Sequence, residues 1–395
     1  MRFDFGIIGG GILGLSIGRA ILENDSSKKV LIIEKENSLG YHASSRNSGV
    51  LHAGFYYSPE SLKAKFCREG NFELKQILRK HQIRILATGK VVVAKNAVEA
   101  DRLNELLSRG VMNSVDLELL PEKDLIKFEP LARTYEKFLW SPTTSVSDPK
   151  LLISALQKEF QNMGGRIVMS SKVRLQISGG SIKIQDSEQD CKFIINAAGT
   201  GAVQLANSVG AGRNFLLLPF RGDYISASYA ELRLRTLVYP VPSATNPFLG
   251  VHFTTAIDGS IKLGPTAVPL LGGEQYSGLR NLKLRESTSS LLGMVTMLSG
   301  ERKEIIGIAF EELKKKQLAY LINEAAKLVP SVTSVKNWDR KNPGIRAQLV
   351  NKSSKQLESD FVIEKISNSL HILNAVSPGW TSAIPFGRHV AAQLD

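Results

Sequence analysis

Apolar and polar positions alternate in three distinct rhythms at the start of this chain. An unbroken apolar run ends at Ile7 and Ile8. A stretch from about Gly11 to Glu23 repeats apolar residues at helical spacing, and Val30 to Ile33 is again continuously apolar. Runs of this length bounded by turns are buried strands, and the 3.6-residue period between them is an amphipathic helix. The unit therefore predicts strand, helix, strand. At its first turn stand Gly9, Gly11 and Gly14 in the spacing G-x-G-x-x-G, and Glu34 follows twenty residues after Gly14. Gly9 permits the tight turn, Gly11 lets a pyrophosphate approach the backbone, and Gly14 lets the helix pack on the strand. The helix start then aims its amides at the phosphates. Glu34 is placed to accept both ribose hydroxyls and would repel a 2′-phosphate. The unit predicts an unphosphorylated dinucleotide and leaves FAD and NAD equally open.

The pattern then changes repeatedly. Residues 41–57 read as a long loop, followed by a helix over about 61–81, a strand at Lys90 to Ala94 and a helix over 97–108. Asp148 and Pro149 form an N-cap and first-turn pair for a helix reaching Gly164. Strands follow at Ile167 to Val173 and Phe193 to Gly199, the second with a parallel-sheet pattern returning the chain to the nucleotide unit. Between about 216 and 264 the pattern is short, alternating and punctuated by Pro and Gly: Arg221 to Ser228, Val238 to Val241, Gly250 to Thr254 and Ile261 to Gly264. That is antiparallel sheet. Helices run to about Leu328, then strands return at Phe361 to Glu364 and His371 to Asn374, before a last helix. The fold class expected is α/β plus α+β: a Rossmann-like parallel-sheet domain interleaved with an antiparallel-sheet substrate domain. The first is drawn over 1–85, 145–215 and 335–395, the second over 86–144 and 216–334.

Composition narrows this picture only at the edges. The 395 residues are 43% hydrophobic and 22% charged, an ordinary globular balance. No apolar stretch is long enough for a membrane span, and with the first strand starting so early no leader is expected. Cys67 and Cys191 have no metal-ligand spacing, so no metal site is expected, and a reduced, cytoplasmic setting is the economical reading. The net charge of +13 could serve an acidic substrate, an anionic membrane surface or nucleic acid. The Lys and Arg residues are dispersed and carry no nucleic-acid motif. A solvated surface, with peripheral contact at the inner face of the cell membrane as an alternative, is expected; nucleic acid is not.

Six further stretches carry a resemblance. They are Arg46 to Tyr57, Pro219 to Tyr224, Leu249 to Thr254, Leu263 to Pro265, Gly344 to Arg346 and Asn374 to Pro378. In this order, behind the dinucleotide unit, they resemble the flavin oxidoreductase superfamily of D-amino-acid oxidase, and within it the L-2-hydroxyglutarate dehydrogenase/oxidase family. Trp380 departs from the pattern, where a small residue is expected. The resemblance implies non-covalent FAD, a dicarboxylate 2-hydroxy acid as substrate, and oxygen or a quinone as electron acceptor. It also implies a C-terminal segment, Ser377, Pro378, Gly379, Trp380 and Thr381, that closes over the flavin. The alternatives are another enzyme of the same superfamily, acting on an amino acid or glycerol 3-phosphate, and a non-catalytic flavin-stabilised scaffold.

Such an oxidation needs a base, a hydride acceptor and cations for the carboxylates. His52 and His252 are the candidate bases, because imidazole titrates near neutrality. Arg346 and Arg221 are the candidate carboxylate ligands, since a guanidinium grips a carboxylate through two parallel hydrogen bonds. Tyr57, Thr254 and Lys262 are further substrate-side candidates. For the cofactor, Gly9, Gly11, Ile12, Gly14 and Glu34 are joined by Ser44, Ser45, Arg46, Asn47 and Gly49. Val173 is assigned to the adenine, with Ala198 and Gly199 near the nucleotide.

Overall fold

The computed structural model describes residues 2–178, 181–184, 189–243, 249–276, 284–300 and 302–394. The opening unit forms as its pattern predicts. Arg2–Ile8 and Val30–Ile33 lie parallel, joined by the helix Ile12–Asn24. They sit inside a six-stranded sheet ordered Val362–Ile366, Ser369–Asn374, Asp190–Asn196, Arg2–Ile8, Val30–Ile33, Arg166–Val168. All neighbours are parallel except the hairpin at 362–374. The continuous apolar runs follow from this, because helices cover the sheet. Ile7, Leu15, Ile17, Ile32, Leu156, Phe160 and Phe386 form the core between the sheet and the helices Ile12–Asn24, Pro149–Asn162 and Ala383–Ala391. The first and last helices touch so closely that a Cβ on Gly387 would lie 2.6 Å from the Ser16 carbonyl oxygen. Asp148 caps its helix as expected, accepting from the Lys150 amide at 2.7 Å.

A second sheet has eight strands, ordered Asp339–Arg340, Ile225–Ala227, Ile261–Gly264, His252–Thr255, Leu237–Pro240, Lys90–Val93, Lys137–Ser141, Glu118–Pro121. It is antiparallel apart from one parallel pair, Leu237–Pro240 with Lys90–Val93, which the alternating pattern did not predict. Side chains alternate across it. Val91, Val93, Val238 and Phe253 face the helix Leu318–Ala326, while Val92, Leu237 and Tyr239 face Phe55 and the helix Ala97–Met112.

Two expected strands end early. Ile167 to Val173 stops at Val168, because Ser170 takes a left-handed φ of 54° and the Ser170 and Ser171 amides turn back to the Glu36 and Glu34 carbonyls. Val173 therefore lies in a loop. The strand expected over 221–228 is broken: Phe215–Gly222 belongs to a three-stranded sheet with Gly344–Asn351 and Val268–Pro269, and only Ile225–Ala227 joins the large sheet. The long loop at 41–57 holds a short strand, Val50–Leu51, paired with Ser145–Ser147.

Candidate functional site

One cavity of about 780 Å³ joins the two sheets, a volume in the range of small-molecule sites. Its first end is built mostly by backbone. Gly9 has φ +108°, a conformation open to glycine. A Cβ on Gly14 would lie 2.0 Å from the Gly9 carbonyl oxygen, so the helix reaches the strand only with glycine there. Gly11 caps the helix without a side chain, leaving first-turn amides facing the cavity beside Ile12 and Leu13. One is engaged from across the cavity mouth, where Ser44 Oγ accepts from the Ile12 amide at 3.0 Å.

Glu34 closes this end. Its Oε2 accepts from the Gly10 amide at 2.7 Å and its Oε1 from the Glu36 amide at 2.9 Å. A carboxylate has about four lone-pair positions, so two are spent on the backbone and two remain for a ribose. Val173, Ala198 and Gly199 line the same end, as do Arg46 and Asn47. Gly14, Ser45 and Gly49 do not line it. Gly14 and Gly49 act through close packing, a Cβ on Gly49 falling 2.2 Å from the Ser147 carbonyl oxygen. The Ser45 amide closes a turn onto the Gly40 and His42 carbonyls. At this end, too, His42 Nδ1 lies 2.7 Å from the Tyr276 hydroxyl, and Arg46 sits 4.3 Å over the Tyr276 ring.

The other end is made by side chains from distant segments. His52, His252, Tyr224, Tyr239 and Arg346 line it, with Ser377, Pro378, Gly379, Trp380 and Thr381 forming one wall. His52 is held by its backbone. Its amide donates to Thr381 Oγ1 at 3.2 Å, and its carbonyl accepts from Asn71 Nδ2 at 3.0 Å. Its own Nδ1 is buried without a hydrogen-bond partner among the described residues.

His252 is fixed differently. Its Nδ1 lies 2.8 Å from the Gly250 carbonyl, which only accepts, so Nδ1 carries the proton and Nε2 is a bare acceptor. Its ring stacks on Tyr239, with centroids 3.8 Å apart at 21°. Burial pulls both histidines down to about 3, helped by Lys90 and Arg346, and the His52 value is lowered further by His252. Both rings are neutral at pH 7 and able to take a proton.

Strand register separates the two arginines. Arg346 pairs with Phe220, and Arg221 pairs with Ile345. Cross-strand neighbours share a face and successive residues alternate, so the two guanidiniums leave opposite faces. Arg346 reaches the cavity; Arg221 instead meets Asp223, Nε to Oδ1 at 3.0 Å. Thr254 shares the face of His252 but lies behind it, fully buried beside Tyr239. Lys262, paired with Thr254, is surrounded by Asp258, Lys341 and Asp148 and does not line the cavity. Tyr57 is not in the wall either, but its phenol bonds Ser377, which is, and it feels the Arg346 charge.

Sequence reasoning missed Tyr239, Tyr224, Asn71 and Lys90. Tyr239 and Lys90 carry a faint signal, each being a polar-tipped residue in a strand otherwise apolar. Asn71 carries none, sitting in an amphipathic helix where its three carbonyl partners come from residues 51, 52 and 143.

The residues fit an extended dinucleotide with a reactive ring. Phosphates match the glycine cradle and helix start, and the orphaned Trp380 Nε1 and His52 Nδ1 stand at the other end. Comparison with known proteins agrees. Residues 4–393 match the family described as FAD dependent oxidoreductase. The chain is 31% identical over 400 residues to the L-2-hydroxyglutarate dehydrogenase of Escherichia coli strain K12, covering 100% of this chain and 93% of that one. It is 31% identical over 415 residues to the mitochondrial L-2-hydroxyglutarate dehydrogenase of Homo sapiens, covering 100% and 89%. In fold it is similar to the L-alpha-glycerophosphate oxidase of Mycoplasma pneumoniae solved with FAD bound, with a TM-score of 0.78 at 23% identity, over 100% of this chain and 95% of that one.

Proposed function

The chain belongs to the FAD dependent oxidoreductase family, and from that premise we propose that it oxidises L-2-hydroxyglutarate to 2-oxoglutarate. The observation that carries this reading is the meeting of two neutral histidines and Arg346 at the end of the cavity away from the glycine cradle. FAD, when bound, supplies the acceptor for the hydride from the substrate carbon. The chain's own residues supply the rest. His252 is the leading base, because its Nδ1–H is committed to Gly250 and Nε2 is left to accept the hydroxyl proton. His52, with its unpartnered Nδ1, is the second candidate and stands at the same wall. Arg346 binds and orients a carboxylate, and the names of the full-length relatives point to a second carboxylate on the same substrate.

The wall from Ser377 to Thr381 ties the His52 amide to Thr381. The test is anaerobic. L-2-hydroxyglutarate should bleach the bound flavin and the D enantiomer should not; subsequent mixing with oxygen or a quinone then identifies the acceptor. Bleaching by glycerol 3-phosphate or an amino acid, with none by L-2-hydroxyglutarate, overturns the proposal.

A further inference from the structure

A buried cation stands behind the histidine wall. Lys90 opens the strand Lys90–Val93, and alternation sends its side chain to the face of Val92, away from Val91 and Val93. The residue has no exposed surface, and among the described residues its Nζ has no hydrogen-bond partner. The ammonium instead lies 4.5 Å from the ring centre of Phe55, 4.4 Å from that of Tyr56 and 4.9 Å from that of Tyr239. Ring faces attract a cation, so the cage holds it, but they bring no countercharge.

The elements packed round Lys90 supply none among the described residues. The loop after Val50–Leu51 offers His52 and Tyr56, and the helix Leu62–Lys80 offers Cys67. The strands Leu237–Pro240, His252–Thr255 and Gly344–Asn351 offer Tyr239, His252 and Arg346; Lys137–Ser141 sets Ser141 opposite. None of these is a carboxylate. Burial pushes the Cys67 thiol and both phenols up, keeping them neutral. Buried charges are ordinarily paired, and an apolar side chain would fill this cage at less cost. The same burial draws the ammonium itself down to about 7. Its charge is felt at the site, since Lys90 is the largest source, after burial, of the lowering at His52 and also acts on His252. In a desolvated wall such a field is weakly screened.

We propose that Lys90 is a positioning charge for the substrate pocket: from behind Tyr56 and Tyr239 it adds to Arg346 the positive field that favours a doubly negative ligand, and the same field opposes a positive charge at the histidine wall. The first half rests on the dicarboxylate reading above. A dianion in the pocket stabilises the ammonium, so binding above about pH 7 takes up a proton. His52 and His252 stay neutral at pH 8, and Lys63 and Lys75, which titrate near 8, lie off the cavity. Uptake at that pH therefore reports Lys90.

The experiment uses flavin-loaded wild type, Lys90→Met and Lys90→Arg. Glutarate and butyrate are titrated by their perturbation of the flavin spectrum, with proton uptake followed by an indicator dye at pH 8. Lys90→Met should weaken glutarate about tenfold and butyrate less than about threefold, abolish the uptake, and move the acid limb of flavin reduction up by about one pH unit, since a like charge no longer opposes histidine protonation. Lys90→Arg, permanently charged, should keep the selectivity and the acid limb but lose the uptake. Lys90→Met with full flavin, the wild-type glutarate-to-butyrate ratio and an unmoved acid limb overturns the proposal. If Lys90→Met does not hold flavin, uptake persisting in Lys90→Arg overturns it. Wild type that is not reduced by L-2-hydroxyglutarate refutes the substrate reading alone, because the glutarate, butyrate and proton measurements do not depend on turnover.

Discussion

The two ends of the cavity are built by opposite methods. At the glycine end, the first 36 residues supply the cradle of main-chain amides and its one carboxylate. At the histidine end, side chains arrive from residues 52, 239, 252 and 346, with the His52 main chain held by Asn71 and Thr381 and the His252 ring by the Gly250 carbonyl. The first end offers polar groups that need only donate or accept hydrogen bonds. The second strips water from its groups and shifts their titration. Binding the constant part of a cofactor needs only shape and a few dipoles, which one supersecondary unit can provide. Moving a proton needs groups whose basicity is tuned, and tuning requires burial by several elements at once.

If the ends are separable in this way, removing a histidine should damage chemistry and leave cofactor binding intact. His252→Ala and His52→Ala are expected to retain flavin, and the variant lacking the base should lose about 10²–10⁴-fold in turnover. Rapid-reaction flavin reduction against flavin content checks this. The pH profile sharpens it. A histidine held near 3 keeps its neutral form throughout the range above that value, so the acid limb of kcat/KM should lie well below the ordinary 6.5 of imidazole. Loss of flavin together with activity would show that the two ends form one structural unit.

This contrast also sets what could be read before the fold was known. Gly9, Gly11, Gly14 and Glu34 were legible because their spacing is local and each has a single physical task. His252 and Arg346 were legible as residue types in resembling stretches, but their partners were not: nothing in the string around His252 announces that Gly250 selects its tautomer. Arg221 misled for a definite reason. It and Arg346 both suit a carboxylate, and only the register pairing Arg346 with Phe220 sends them to opposite faces. Lys90 escaped because a lysine at a strand start reads as a solvated edge, and its burial depends on Phe55 and Tyr56 from one distant loop and Tyr239 from another strand.

A smaller effect probes the substrate side of the comparison. Arg346→Lys keeps the positive charge but removes the planar fork that holds a carboxylate in one orientation. The KM for L-2-hydroxyglutarate should rise about 10–100-fold, as expected for losing one charge-assisted hydrogen bond or more. Steady-state kinetics at saturating FAD checks it. An unchanged KM would remove Arg346 from the substrate and leave only the histidines at that end.

The smallest effect is expected at the glycine end, and it tests whether that end is truly passive in catalysis. Glu34→Gln preserves shape and one acceptor but places an amide N–H₂ against either the Gly10 or the Glu36 amide, both of which now donate to the carboxylate. One donor then faces another donor. The cost of such an unmade bond is about 1–2 kcal/mol, or about 5–30-fold in FAD affinity if the strain is relieved by opening the loop at Gly10. Equilibrium titration of the apoprotein with FAD measures that loss. Reduction of the flavin-saturated variant by substrate should remain within about twofold of wild type, because Glu34 lies at the opposite end of the cavity from His52 and His252 and binds only main chain there. A large fall in reduction rate with flavin fully bound would mean that the cradle also sets the position of the reactive ring, and the separation of the two ends would have to be replaced by a rigid ruler running from Gly10 to Thr381.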